Sequence, residues 1–225
     1  MNNYRYPPFS SAPVSLDRNK TNSLTVSGEE TVQAAPDQAI ITLGATTENK
    51  DPAAAQQDNA AIILRVINSI KALGIPENQI KTVEYRIDPQ YDYQEGTQIF
   101  RGYKVTHLIR ITASNIKQVG EIVDTAVKNG ANTVSSVRFT VSNQEVHYNR
   151  ALSLALENAR QKAISMAKTL GVTLNDTPEQ VQETSIGQPL PFQMDAYSKI
   201  AAAATPIQPG ELNISAAVKV EYSYF

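Results

Sequence analysis

An α+β fold, with largely antiparallel or mixed sheets and three main helices packed on one face, is predicted by three observations. Apolar residues alternate with polar ones in several stretches, the period of a half-buried strand. In others they recur at spacings of three and four, the period of a helix face. The two patterns are interleaved along the chain, so sheets and helices must form together.

Residues 1–21 are polar and rich in Pro, Ser and Asn, without periodicity, and are read as a flexible tail. A single domain is expected over 22–225. Leu24 and Val26, then Ile40, Ile41 and Leu43, indicate two strands separated by a polar bend at Ala35-Pro36-Asp37. Asp51-Pro52 opens a helix, because Asp caps well and Pro suits the first helical position. Ala55, Asn59, Ile62, Val66, Ile70 and Leu73 make its inner face, and Gly74 and Pro76 end it.

Two alternating runs follow. In the first, Val83, Tyr85 and Ile87 oppose Glu84, Arg86 and Asp88; the second runs through Tyr103, Val105, His107, Ile109 and Ile111. A loop at Gln94-Glu95-Gly96 joins them, which predicts a long hairpin. Ser114 is expected to cap a second helix with Val119, Ile122, Val123 and Ala126 inward. A strand through Val134, Val137, Phe139 and Val141 comes next. Ser142-Asn143-Gln144-Glu145 reads as a capping box opening the longest helix, whose face is Leu152, Ala155, Ala159, Ala163, Met166 and Leu170. Residues 187–210, rich in Pro and Ala, are expected to be a long loop. The chain closes with its cleanest alternation, Leu212 to Tyr224 against Glu211 to Ser223.

Composition excludes several functions. There are 20 basic and 22 acidic residues and no basic stripe, so nucleic acid is not an expected partner. With no cysteine there are no disulfides, thiolate metal sites or thiol catalysis. No apolar run reaches the ~18 residues of a membrane helix, so no integral membrane segment is expected. The N-terminus carries no signal pattern, so the sequence as written predicts a cytoplasmic protein. No phosphate-binding glycine loop or G-x-S-x-G motif occurs, and no cofactor or metal is expected.

Four features are candidate sites. His107, in register with a strand's apolar face, reads as a packed strand histidine rather than a base. His147, early in the long helix, could pair with Glu145 or Arg150. Asp88, Asp92 and Glu95 could hold a cation, but hairpin tips are commonly acidic because they are solvated. Tyr85, Tyr91, Tyr93, Phe100 and Tyr103 concentrate on the hairpin. They read as cross-strand packing, or as a protein-contact surface.

Short motifs then fall in a specific order. Val26-Ser27-Gly28, Pro36-Asp37, Asn59, Leu73-Gly74-Ile75, Ile80-Lys81-Thr82, Tyr85-Arg86-Ile87, Pro89 with Tyr91 and Tyr93, and Gly102-Tyr103 come first. Gly130-Ala131-Asn132, Phe139, Ala159-Arg160-Gln161-Lys162-Ala163, Ala167 and Leu170-Gly171 follow. Together they resemble the SIMPL domain family across nearly the whole ordered chain. The resemblance implies kinship with bacterial envelope proteins linked to oxidative stress, some of them ring-like or channel-like homo-oligomers. It also implies kinship with an animal adaptor that associates with a Pelle-like kinase. It supplies no catalytic residues and points to an envelope location, against the N-terminal reading.

The function expected is therefore a non-enzymatic, self-associating scaffold or stress-related protein, with a homo-oligomer as the expected assembly. The alternatives are a monomeric adaptor or ligand-binding module for another protein, and a hydrolase using His107 and a carboxylate.

Overall fold

The structure, a computed structural model, describes residues 22–185, 190–191, 207 and 209–225. The expected tail over 1–21 and most of the expected loop over 187–210 lie outside the described residues.

The element order is β1 (Ser23–Ala34), β2 (Gln38–Asn49), α1 (Pro52–Ala72), β3 (Ile80–Gln94), β4 (Thr97–Ala113), α2 (Val119–Lys128), β5 (Thr133–Thr140), α3 (Gln144–Leu170), β6 (Gln180–Ser185), β7 (Leu190–Pro191) and β8 (Leu212–Ser223). The sequence predicts strand, strand, helix, strand, strand, helix, strand, helix, strand, strand, and the order agrees except for the short β7, where Leu190 and Pro191 pair with Asn213 and Leu212 inside the stretch read as loop.

The strands form two sheets in which every described pairing is antiparallel. One has the order β3-β4-β2-β5; in the other β8 lies between β1 and β6, with β7 also on β8. The helices divide accordingly, α1 and α2 on the first sheet and α3 on the second.

The first core joins Ala39, Ile41, Leu43 and Ala45 of β2 and Ile109 and Ile111 of β4 to Ile63, Val66 and Ile70 of α1 and Val119 and Ile122 of α2. Ile63 is buried where Ile62 was expected; Ile62 and Leu73 pack at the margin. Asp51 caps α1, its side chain accepting from the Ala53 N–H at 3.1 Å. Ser114 does not cap α2: Asn115 accepts from Lys117 N–H at 3.1 Å and starts a 3₁₀ turn that leads into the helix.

The second core sets the alternating face of β8 (Leu212, Ile214, Ala216, Val218, Val220, Tyr222) and the inner face of β1 against α3. The buried stripe of α3 is wholly alanine: Ala151, Ala155, Ala159, Ala163 and Ala167. Met166 and Leu170, expected inside, are exposed. A strict four-residue alanine spacing follows one side of the helix, and its small side chains bring the helix axis close to the sheet. Gly28 of β1 meets that stripe. A Cβ there would stand 2.0 Å from the Ala155 carbonyl oxygen and 2.9 Å from the Ala159 Cβ.

The capping box at Ser142 does not form. Asn143 caps α3 by accepting from Val146 N–H at 3.4 Å, and Ser142 binds Asp37 instead. Among the described elements the chain passes between the sheets at two places, from β1 to β2 and from β5 to α3. Asp37 and Ser142 sit at these crossings. Ile207, just before β8, returns to pack on the first core.

Candidate functional site

The β3–β4 hairpin is the longest element pair, and its tip is a two-residue turn. Glu95 (φ 50°) and Gly96 (φ 80°) both take positive φ, the turn whose twist matches the paired strands. The strands run to Gln94 and Thr97, so the loop expected there is only the turn itself.

Register determines what each face presents. A shift between Thr82 and Glu84 leaves Val83 without a partner of its own, so Val83 does not continue the Tyr85 row as its spacing suggested. Tyr85 then lies opposite His107, Ile87 opposite Val105, Pro89 opposite Tyr103 and, past a second shift, Tyr91 opposite Phe100. Phe100 meets Tyr91 edge-on at 5.7 Å and Tyr103 at 5.3 Å. Tyr85 contacts His107 instead, at 5.2 Å and nearly perpendicular. Tyr93 makes no ring contact among the described residues and is 74% exposed.

The expected aromatic group is therefore one stack of three, one Tyr–His pair and one free ring. Val83, Tyr85, Ile87, Tyr91, Ile99 and Phe100 are all exposed as well. Ile87, read only as part of an alternating face, and Ile99, which the sequence did not single out, are both surface residues.

The charges on the opposite side are paired. Arg86 reaches Glu84 at 3.2 Å and Asp88 at 3.0 Å. Arg101 binds Glu48 and lies 3.8 Å from Asp92. Asp88 and Asp92, two of the three carboxylates that could hold a cation, thus have arginine neighbours, and no cluster fit to hold a metal occurs among the described residues.

His107 Nε2 lies 3.0 Å from Thr82 Oγ1. Burial lowers the imidazole pKa below its ordinary value by disfavouring the charged form. Among the described residues no carboxylate orients the ring, so the partner that a catalytic base needs is not assembled there. The Asp37 carboxyl is held below its ordinary pKa chiefly by the Ser142 hydroxyl and N–H, with His147 contributing least. Ser27 lies on β1 beneath α3, its carbonyl accepting from Lys162 Nζ at 2.9 Å.

Similarity to known proteins fits this fold. The profile of SIMPL, described as a protein of unknown function (DUF541), matches residues 24–222. The chain belongs to the SIMPL family. Among its relatives, the uncharacterized protein YggE of Edwardsiella ictaluri is 28% identical over 169 residues, 75% of this chain and 71% of the relative. YggE of Escherichia coli K12 is 25% identical over 198 residues, 88% of this chain and 79% of the relative. The 26 kDa periplasmic immunogenic protein of Brucella melitensis is 26% identical over 208 residues, covering 88% and 83%. The cytoplasmic expectation for this SIMPL chain finds no support among these relatives, one of which carries "periplasmic" in its name. No helix among the described residues is long and apolar enough to cross a membrane.

Proposed function

We propose that this SIMPL chain is a non-enzymatic, self-associating scaffold whose subunit contact is the β3–β4 hairpin. The observation that carries the reading is the hairpin's exposed run of Tyr85, Ile87, Tyr91, Tyr93 and Phe100. A contiguous apolar patch on an exposed element marks an interaction surface, and tyrosines anchor such contacts at low entropic cost. The name of the Brucella relative supports an envelope location. The stress association implied by the family resemblance belongs to the same reading, and peroxide survival of cells lacking the chain tests it.

Light scattering after size exclusion tests the assembly. A mass several times 24.6 kDa is expected, and it falls when Tyr91 and Tyr93 are both replaced by Ser with the fold intact. A monomer at all concentrations overturns the scaffold and favours a monomeric adaptor. Turnover by the wild type that is lost in His107→Ala overturns the non-enzymatic part.

A further inference from the structure

We propose that β3 pairs antiparallel with β3 of a second copy, in the register that sets Ile87 opposite Ile87. The inference rests on the self-association reading and specifies its contact. β3 is an edge strand: β4 flanks one side, and no strand flanks the other among the described residues. Such an edge is a template for another strand.

Proline chemistry shows which groups the edge offers. Pro89 is registered opposite Tyr103 but has no N–H to exchange with it. The pair is therefore of the non-hydrogen-bonded kind, and the Pro89 carbonyl turns away from β4. No register shift occurs between Glu84 and Gln90, so the two-residue period turns the N–H and C=O of Ile87 and Tyr85 outward as well. The usable window is bounded by the irregularity at Val83 on one side and the one at Gln90/Tyr91 on the other.

Five twofold registers fit an outward row at 85, 87 and 89; the one centred on Asp88 sets Asp88 against Asp88, and the one centred on Pro89 runs into the irregularity at Gln90/Tyr91. Centred on Arg86, the pairing sets Arg86 against Arg86 and Glu84 against Asp88, like charge facing like charge. Centred on Tyr85, it runs into the irregularity at Val83. Centred on Ile87, it sets Arg86 of each copy opposite Asp88 of the other. Ile87 exchanges both main-chain bonds with its copy, and the Tyr85 N–H gives to the Pro89 carbonyl of the second copy. The missing proline N–H leaves only the Tyr85 carbonyl without a main-chain donor. The exposed Ile87 side chains meet on one face, with each Tyr85 over the second copy's Pro89. Opposite charges directly across strands stabilise a pair and like charges destabilise it, which selects this register.

The chain has no cysteine, so single cysteines report the register cleanly. Tyr85→Cys, Arg86→Cys, Ile87→Cys, Asp88→Cys and Pro89→Cys, each checked for wild-type thermal stability, are oxidised mildly or treated with a short bis-maleimide. Covalent dimer should peak at Ile87→Cys, several-fold above Tyr85→Cys and Pro89→Cys, whose copies would lie about 13 Å apart along the strands.

Asp88→Arg should lower the assembly mass, and Arg86→Asp with Asp88→Arg should restore it. A peak at residue 85 or 86 overturns the register. Uniformly weak cross-linking in a protein that still shows a multiple mass overturns edge pairing while leaving self-association standing. A monomeric mass overturns both.

Discussion

The carboxylate of Asp37 receives both the main-chain N–H and the hydroxyl of Ser142, each at 2.7 Å, across 105 positions of sequence. The main-chain N–H of Asp37 completes the tie by giving to the Thr140 carbonyl at 3.2 Å. These residues occupy the two crossings between sheets, so the contact holds together segments that each lead from one core to the other.

The Asp37 pKa lies below its ordinary value of 3.8, chiefly because the Ser142 hydroxyl and then its N–H bond the charged form. A carboxyl lowered on folding contributes stability that is full above its unfolded pKa and is lost as pH falls from there through the folded pKa. Asp37→Asn should therefore flatten the acid limb of the melting-temperature profile below about pH 4. Ser142→Ala should destabilise at neutral pH by about 1 kcal/mol, the contact being solvent-exposed. An unchanged acid limb in Asp37→Asn would show that the tie does not couple folding to pH.

Gly28→Ala should destabilise at the upper end of about 1–3 kcal/mol, or beyond, because the added methyl meets helix backbone rather than a movable side chain. Ala159→Leu should act through the same surface by forcing α3 off the sheet. Urea denaturation followed by circular dichroism measures both. A neutral Gly28→Ala would mean that α3 can shift freely.

His107 carries a pH signature of the same sign, set at a higher pH and by burial rather than by hydrogen bonds. Burial lowers its folded pKa, so the unfolded chain takes up a proton first as pH falls below 6.5 and the folded state loses stability over that range. His107→Gln keeps a group able to bond Thr82 and removes the titration. It should raise the melting temperature relative to wild type at pH 5.5 and not at pH 8. Parallel profiles for the two proteins would contradict this.

Asn59 is fully buried in α1 and donates from its amide to Ala45 O at 2.9 Å and Val105 O at 3.3 Å, tying the helix to two neighbouring strands. Asn59→Ala should cost about 1–3 kcal/mol. Asn59→Asp should cost more at neutral pH, since it removes the donors and buries a charge. Chemical denaturation of the two variants gives the ranking, and an Asp variant as stable as Ala would show that the site is hydrated.

Much of this fold could be read locally. α1 begins at Asp51-Pro52 and β8 alternates as expected because capping and side-chain period are properties of neighbouring residues. Local signals fail where a distant residue competes for a local group. Ser142 has the local chemistry of an α3 cap, yet Asp37 offers its N–H and hydroxyl a charged acceptor, and Asn143 caps instead. Met166 and Leu170 are apolar at helical spacing, but the sheet approaches through Gly28 and admits only the alanine side of α3.

The candidate site shows the same division. The concentration of tyrosines on the hairpin is visible in sequence, but their grouping depends on the register shifts at Thr82/Glu84 and Gln90/Tyr91. The exposure of Ile87 and Ile99 depends on what fails to cover them, and no alternation pattern records that.

The sequence by itself determined the kinds of element, their order, the helix start at Asp51 and the absence of thiol chemistry. Only the tertiary structure decided that these elements divide between two sheets, with β1 joined to β8 so that Ser23 pairs with Ser223. Periodicity states how a strand faces a core, whereas the choice of core is made by main-chain pairing between segments far apart in the chain. That choice is carried by residues such as Gly28, Asp37 and Ser142, whose roles arise only when the distant partner arrives.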